Sequence, residues 1–415
     1  MGGVSHLSLK YGKKEIDLTL PSNSQIVKPN EIPGQDEEVE IKRGLTSPIG
    51  SKKLSELVLP HGKTAIVVSD ITRPTPSSKL LPLLLEELNK GGVSSEDVVV
   101  VFATGLHRKL IEEERKSLVG DVYDQIKCIN HDADDCIYLG NTSSGTKVSI
   151  LRDVFDADVV ICLGTIELHY FAGYSGGAKS ILPGVSSRET IEMNHKLMLL
   201  PNAASGCAGS PVRKDMEEAG AMLGIDFILN VVLNANREIV RAVAGHPVHA
   251  HRAGAIYANQ IYKIPIKEKA DIVIASAGGA PKDLNVYQAY KALDNAKHAV
   301  SKDGSIILVA ECPEGMGSDV LESWVREANS PKDVIDRLER NFKLGGHMAA
   351  AIARIAEKHD IYILSELPDH LAEKAFFIPV KDVGVALEAA MKKMKKHRDA
   401  KIIVMPYGNS TFPFT

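Results

Sequence analysis

Residues able to do chemistry gather in short polar stretches, each directly behind an apolar run. Asp70-Ile71-Thr72-Arg73-Pro74 follows the first such run and Thr104-Gly105-Leu106-His107-Arg108 the second. Glu167-Leu168-His169-Tyr170 follows a third and leads into Gly173-Tyr174-Ser175-Gly176-Gly177-Ala178-Lys179-Ser180. In the second half, Gly278-Gly279-Ala280-Pro281-Lys282-Asp283 and Glu311-Cys312-Pro313-Glu314-Gly315 stand in the same relation to two more runs. Histidines exchange protons near neutrality, and arginine grips carboxylates. A lysine in a glycine-rich loop holds phosphate or, when desolvated, acts as a nucleophile. Taken singly, each residue has a plain structural explanation: Asp70 as a turn cap, Arg73 as a surface ion pair, His107 and His169 as satisfied polar side chains. As a set at strand ends they read as a site, because ligands of open α/β sheets sit beyond the carboxyl ends of the strands.

Block 173–180 comes within one residue of the phosphate-cradling pattern G-x-x-x-x-G-K-[ST], with Ala178 where that pattern has its second glycine. It also begins nine residues after its apolar run, whereas a phosphate loop follows its strand directly. A P-loop-like phosphotransferase therefore stays open as a reading, with ATP hydrolysis disfavoured. Gly176 and Gly177 permit close backbone approach to a bulky ligand. His195 lies in a stretch of helical pattern, 187–200. His131, His246, His249 and His251 read as structural or surface residues.

The elements that must hold these loops are legible from periodicity. Continuous apolar runs of strand length occur at 65–69, 98–103, 159–163 and 227–233, and again at 272–276, 305–310, 361–364 and 402–405. Such runs suit strands buried on both faces, the pattern of parallel sheets covered by helices. Helical periodicity occupies 79–90, 215–223, 284–300 and 383–396, and a further helical stretch, 244–269, separates the two sets of strands. The expected fold class is α/β: two α/β domains with mainly parallel sheets, joined by helical linkers, with the active site in the interdomain cleft. The boundary falls near 265, giving an N-terminal domain at 1–265 and a C-terminal domain at 266–415. The basic run 392–397 reads as a solvated helix end. The alanine-rich segment 345–354, if it lines the pocket, leaves room for a large substrate.

Composition removes several classes of function. With 44% hydrophobic residues the 415-residue chain can build cores, and a net charge of −4 with both signs interspersed leaves no broad basic face for nucleic acid. No apolar run approaches the ~20 residues of a membrane span, and the first residues lack a signal-peptide core. The five cysteines are scattered without a Cys-x-x-Cys pair, which suits reduced thiols in the cytoplasm rather than disulfides or a zinc site.

Several of these motifs together resemble the nickel-pincer-nucleotide lactate racemase family. They are Asp70-x-Thr72-Arg73-Pro74, Thr104-Gly105-x-His107-Arg108, the block from His169-Tyr170-Phe171-Ala172-Gly173 to Gly184, Asn194-His195, and Tyr287-Gln288-Ala289-Tyr290-Lys291. The resemblance implies a 2-hydroxyacid racemase, with lactate the default substrate and malate, phenyllactate or a sugar acid as larger alternatives. It implies a nickel pincer nucleotide, pyridinium-3-thioamide-5-thiocarboxylic acid mononucleotide, joined covalently to Lys179, with its Ni(II) bound by His195. Gly176, Gly177, Thr72 and Ser175 would contact that cofactor. His107 and His169 would be the acid/base pair, with Arg73 and Asp70 completing the catalytic set. Arg73, Gln288, Lys291 and Tyr287 would hold the substrate. Hydride would leave the α-carbon and return to its other face while the histidines move the hydroxyl proton. The implied partners are the cofactor-maturation enzymes and the hydroxy acid itself, with no nucleic acid and no membrane. A non-catalytic small-acid or metal binder of the same fold is the remaining reading.

Overall fold

The computed structural model describes residues 4–22, 24–394 and 400–415. The chain divides into two compact units, one of residues 31–261 and one of residues 1–30 together with 262–415. The expected first domain, 1–265, therefore gives up its first thirty residues to the other unit. Packing explains the correction. Strands β1 (Val4–Tyr11) and β2 (Lys14–Pro21) form an antiparallel hairpin. Its alternating apolar face puts Leu9, Leu18 and Leu20 into one core with Ile272, Ile307 and Val404. Strand β3 (Gln25–Ile26) then pairs in parallel with residues 403–404.

The 31–261 unit runs α1 (Glu37–Thr46), α2 (Leu54–Leu57), β4 (Thr64–Ser69), α3 (Ser77–Lys90), β5 (Val98–Ala103), α4 (Glu112–Val119) and β6 (Lys127–Asn130). It continues through β7 (Cys136–Asn141), β8 (Lys147–Leu151), α5 (Arg152–Phe155), β9 (Val159–Thr165), β10 (Leu168–His169), β11 (Gly173–Tyr174) and α6 (Arg188–Lys196). It closes with α7 (Pro211–Leu223), β12 (Phe227–Leu233), β13 (Ile239–Gly245) and α8 (His249–Tyr262). Among the described residues its main sheet has six strands in the order β13-β12-β9-β4-β5-β6. Every neighbour pair is parallel except β12 with β13. Strands β9 and β12 are buried along their whole length, as their unbroken apolar runs require. From β4 the chain builds outward to β5 and β6, then returns to place β9 on the other side of β4. The β4–β9 junction is thus the point where strand order reverses, and loops at such a point part to leave a crevice.

The other unit contains β14 (Lys263–Pro265), β15 (Ala270–Ser276), α9 (Val286–Ala296), β16 (Val300–Val309), α10 (Asp319–Glu327), α11 (Pro331–Arg340) and α12 (Gly346–Ala356). After these come β17 (Asp360–Leu364), α13 (Asp369–Lys374), β18 (Ile378–Val380), α14 (Val383–Lys393), β19 (Ile402–Met405) and β20 (Phe412–Phe414). Its sheet, β18-β17-β16-β15-β19-β3, is parallel throughout, and β14 pairs in parallel with β20.

Two expectations change in detail. The helix expected over 284–300 stops at Ala296, because Val300 already belongs to β16. The helical stretch 244–269 is shorter, since Gly245 ends β13 and α8 starts only at His249. The alanine-rich segment 345–354 falls in α12 and is mostly buried, with Arg354 exposed; a Cβ on Gly346 would lie 2.6 Å from the Trp324 ring. Residues 395–397 of the basic run lie outside the described residues. No helix among the described residues is long and apolar enough to cross a membrane.

The hairpin's place in the second core is testable. Leu20→Ala removes a side chain only 1% exposed, and such truncations cost about 2–5 kcal/mol. Urea denaturation is expected to show a loss in that range. Amide exchange is expected to rise in β15 and β16 and to stay unchanged in β4 and β9.

Candidate active site

The two loops leaving the β4–β9 reversal point, and the loop after neighbouring β5, carry the sequence-predicted groups. Behind β4 the Asp70 carboxylate is buried, and each of its oxygens has a partner. Oδ1 accepts the Thr72 backbone N–H at 3.1 Å and the Thr72 hydroxyl at 2.6 Å. Oδ2 meets His107 Nδ1 at 2.6 Å. Burial alone would raise the Asp70 carboxyl, but the hydrogen bond and charge of His107, with the Thr72 hydroxyl and the Arg73 charge, hold it below the usual range. An ionised Asp70 only accepts, so His107 donates Nδ1–H to it and directs Nε2 away from the carboxylate. The His107 side chain is 53% exposed while Asp70 is 5% exposed, which leaves the imidazole accessible and its partner fixed. Arg73 donates its backbone N–H to the Asp70 carbonyl at 3.2 Å and is half-buried.

Behind β9, the two-residue strands β10 and β11 pair His169 with Gly173 and form a small antiparallel clip. His169 Nδ1 accepts the Ala172 N–H at 3.3 Å, so its neutral ring carries the proton on Nε2, the reverse of His107. The Phe171 ring stands edge-on to His169 at 4.6 Å and to His195 at 5.0 Å, and thereby brings those two histidines together. His195 lies in the last turn of α6. Lys179 sits in a 3₁₀ turn, Gly177–Ser180, and is half-buried where every other residue from Phe171 to Ser180 is buried.

The glycines of this loop serve the protein's own packing. A Cβ on Gly176 (φ +72°) would lie 2.6 Å from Asn230 Oδ1, and one on Gly177 (φ +58°) would lie 3.0 Å from the His251 ring. The hydroxyls expected to touch a cofactor are likewise engaged inside the loops. Ser175 Oγ donates to the Thr165 carbonyl at 2.6 Å and accepts the Glu167 N–H, while Thr72 Oγ1 binds Asp70. The block is also no phosphate loop. It enters from two-residue β11 and ends in a single 3₁₀ turn, without the strand-to-helix frame such a loop needs.

Sequence reasoning missed what holds the block in place. Arg213 of α7 is fully buried, and its guanidinium donates to the carbonyls of Ala172 (3.4 Å), Gly176 (3.0 Å) and Tyr174. Burial pushes Arg213 down to about 10, still cationic at neutral pH. His251 of α8, read from sequence as structural, donates Nε2–H to the Ser175 carbonyl at 2.8 Å. Burial and the Arg213 charge keep this imidazole well below its usual value, and hence neutral. Two residues along α7, buried Asp215 accepts from Asn194 Nδ2 (2.8 Å), Thr146 Oγ1 (2.9 Å) and Thr142 Oγ1 (2.5 Å). One signal was available: Arg213 shares a helical stripe with Met216 and Gly220, both buried.

In the other unit, α9 begins behind the loop that follows β15. Asn285 caps it by accepting the Gln288 N–H at 3.0 Å, and Lys291 Nζ donates to Gln288 Oε1 at 3.2 Å. Gln288 and Lys291 therefore share one face of the helix, near an N-terminus that favours negative charge. Tyr287 meets the buried His347 ring edge-on at 6.2 Å.

Comparison with known proteins gives this geometry a class. A family model for the lactate racemase N-terminal domain matches residues 11–206, and one for the lactate racemase C-terminal domain matches residues 266–412. A lactate racemase from Thermoanaerobacterium thermosaccharolyticum is 35% identical, with 98% of this chain and 99% of the relative covered. One from Lactiplantibacillus plantarum is 32% identical over 90% of each. The solved lactate racemase apoprotein from T. thermosaccharolyticum matches with a TM-score of 0.93 at 33% identity, covering 99% of this chain and 100% of that one. A Thermotoga maritima protein at 19% identity, with a TM-score of 0.69 over 92% of this chain and all of its own, shares the fold. An α/β chain that matches lactate racemases over nearly its whole length is an isomerase of the racemase type. Both halves match, and the chain belongs to the lactate racemase family.

The Asp70–His107 pair makes stability depend on acidity in a set direction. Folding lowers the Asp70 pKa, so the ionised group contributes stability that is complete above its unfolded value near 3.8 and lost as pH falls through the depressed folded value. Urea midpoints measured from about pH 5 to about pH 2.5 are expected to fall less steeply for Asp70→Asn than for the unsubstituted protein. Parallel curves would remove Asp70 from the acid transition.

Proposed function

We propose that this racemase interconverts the D and L forms of a 2-hydroxy acid, with lactate, the substrate named for its relatives, as the default. The observation that carries the reading is the placement of two histidines in the loops behind β5 and β9, on either side of β4: the buried Asp70 carboxylate holds His107 through Nδ1, and the Ala172 N–H holds His169. Converting a hydroxy acid to its mirror form through the planar 2-keto acid removes hydride from carbon and a proton from oxygen, then returns both. His107 takes the hydroxyl proton of one enantiomer, and Asp70 stabilises the imidazolium as it forms. His169, as the imidazolium, returns a proton when hydrogen comes back to the other face and is left neutral. The two roles exchange for the opposite direction.

The donor set fits a metal cofactor that brings its own sulfur. Among the described residues no group of three or more His, Cys, Asp or Glu could hold a metal ion. Burial pushes the Cys128 thiol up to about 11 and Cys136 up to about 12, and raises Cys162 and Cys312 further, so these four stay thiols. One imidazole, His195, and one lysine, Lys179, flank the Phe171 block. Asn194 Oδ1, next in sequence to His195, is buried with no partner among the described residues. Tethered to Lys179, with its Ni(II) on His195, a nickel pincer nucleotide would accept the α-hydrogen as hydride, which avoids a carbanion beside the carboxylate. Arg73 holds that carboxylate, and Gln288, Lys291 and Tyr287 offer donors of the same chemistry. Thr72, Ser175, Gly176 and Gly177 act on the cofactor through the loops they hold in shape. Maturation enzymes of the cytoplasm supply the group.

Intact-mass measurement of protein co-produced with those maturation enzymes is expected to show an adduct that Lys179→Ala abolishes together with racemisation. His107→Ala should keep the adduct and lower kcat by about 10²–10⁴-fold, the usual worth of a general base. A chiral assay over lactate, malate, phenyllactate and sugar acids identifies the substrate. Full-rate racemisation by Lys179→Ala would sink the reading.

A further inference from the structure

Helix α7 lies between the two groups assigned above to the cofactor, and it grips each from a different side. Residues 213 and 215 are about 200° apart around a helix of 3.6 residues per turn. Arg213 therefore faces the 172–176 loop, and Asp215 faces α6 and the β7–β8 hairpin. On the first side one planar guanidinium binds the carbonyls of residues 172, 174 and 176. Fixing alternate carbonyls of a short loop fixes its remaining rotations, and Lys179 follows Gly176 by three residues. On the second side Asp215 binds the Asn194 amide at 2.8 Å, one residue before His195 in the same helical turn. The Asn194 amide also reaches the Val212 carbonyl at 3.2 Å, a second tie from α6 to α7.

Neither residue is what stability alone would select. A buried cation or carboxylate loses its hydration, and well-packed apolar residues usually serve a core as well or better. Arg213 is fully buried and its hydrogen bonds go to backbone carbonyls; the nearby ion pair joins Glu217 to Arg252 instead. A planar fork with several fixed donors is suited to holding a backbone in one shape, which a compact lysine head is not.

We propose that Arg213 and Asp215 are positioning residues that set Lys179 and His195, respectively, against the common frame of α7, so that tether and metal ligand meet one cofactor. The inference rests on the cofactor reading of the preceding section. It predicts two separable defects. Arg213→Lys lowers the yield of Lys179 adduct at least fivefold under fixed maturation conditions, and nickel falls in step. Asp215→Asn keeps the adduct within twofold of the unsubstituted protein but lowers nickel per adduct at least fivefold, as His195→Ala does. Thr146→Val is the control. It removes a 2.9 Å hydrogen bond to the same carboxylate without touching α6, and should lower Tm while leaving both ratios intact.

Intact mass gives adduct per chain, elemental analysis gives nickel, and thermal melts give Tm. Amide exchange on unloaded protein adds a readout independent of the cofactor. Arg213→Lys should speed exchange within 172–180 and Asp215→Asn within 188–196, each sparing the other segment. Should Arg213→Lys not accumulate, Arg213→Gln takes its place. Variants that keep both ratios, or that lose adduct and nickel only in proportion to Tm as the control does, overturn the inference. An unsubstituted protein that takes up neither adduct nor nickel overturns the cofactor reading itself and this inference with it.

Discussion

A guanidinium sealed from water inside the 31–261 unit sets the shape on which the candidate site depends. Arg213 keeps its charge because three carbonyls replace its hydration, and those carbonyls can point inward only because Arg213 is there. Each side makes the other's burial tolerable. The neutral His251 binds the Ser175 carbonyl and the Gly206 N–H that of Gly173, and the Arg213 charge is part of why that imidazole stays neutral. The carbonyls of 172–176 are thereby all engaged inside the protein.

The same economy governs the histidines. A backbone N–H assigns one tautomer to His169, and a carboxylate assigns the other to His107. Asp70 can do this because Thr72 satisfies its second oxygen twice, leaving the first for the imidazole. Two rings of one residue type are thus held by different local hydrogen bonds.

Much of this was legible in the chain. Strands β4, β5, β9 and β12 were marked by unbroken apolar runs, and the polar loops behind them by their position alone. Tautomers were not legible, because they depend on which atom of a distant loop faces the ring. Arg213 was overlooked because an arginine in an amphipathic helix reads as solvated, and only its register with Met216 and Gly220 argued otherwise. Gly176 and Gly177 were recognised as sites of close approach, but pattern could not say that the approaching groups are Asn230 and His251. The hairpin β1–β2 escaped because its apolar positions alternate with polar ones in windows too short to stand out, and the edge strand β13 because Arg241 interrupts its apolar run.

That hairpin has a consequence for how the molecule is made. Strand β3 pairs with β19, so residues 25–26 find their neighbours only among residues 403–404, at the far end of the polypeptide. The 31–261 unit is continuous and can close as it leaves the ribosome. Residues 25–26 are synthesised well before residues 403–404 and must wait for them, on the order of tens of seconds at cellular rates of translation. Through that interval Leu9, Leu18 and Leu20 have no core to join. The enzyme's last-made strands thus decide when its first-made segment stops being a target for chaperones and proteases.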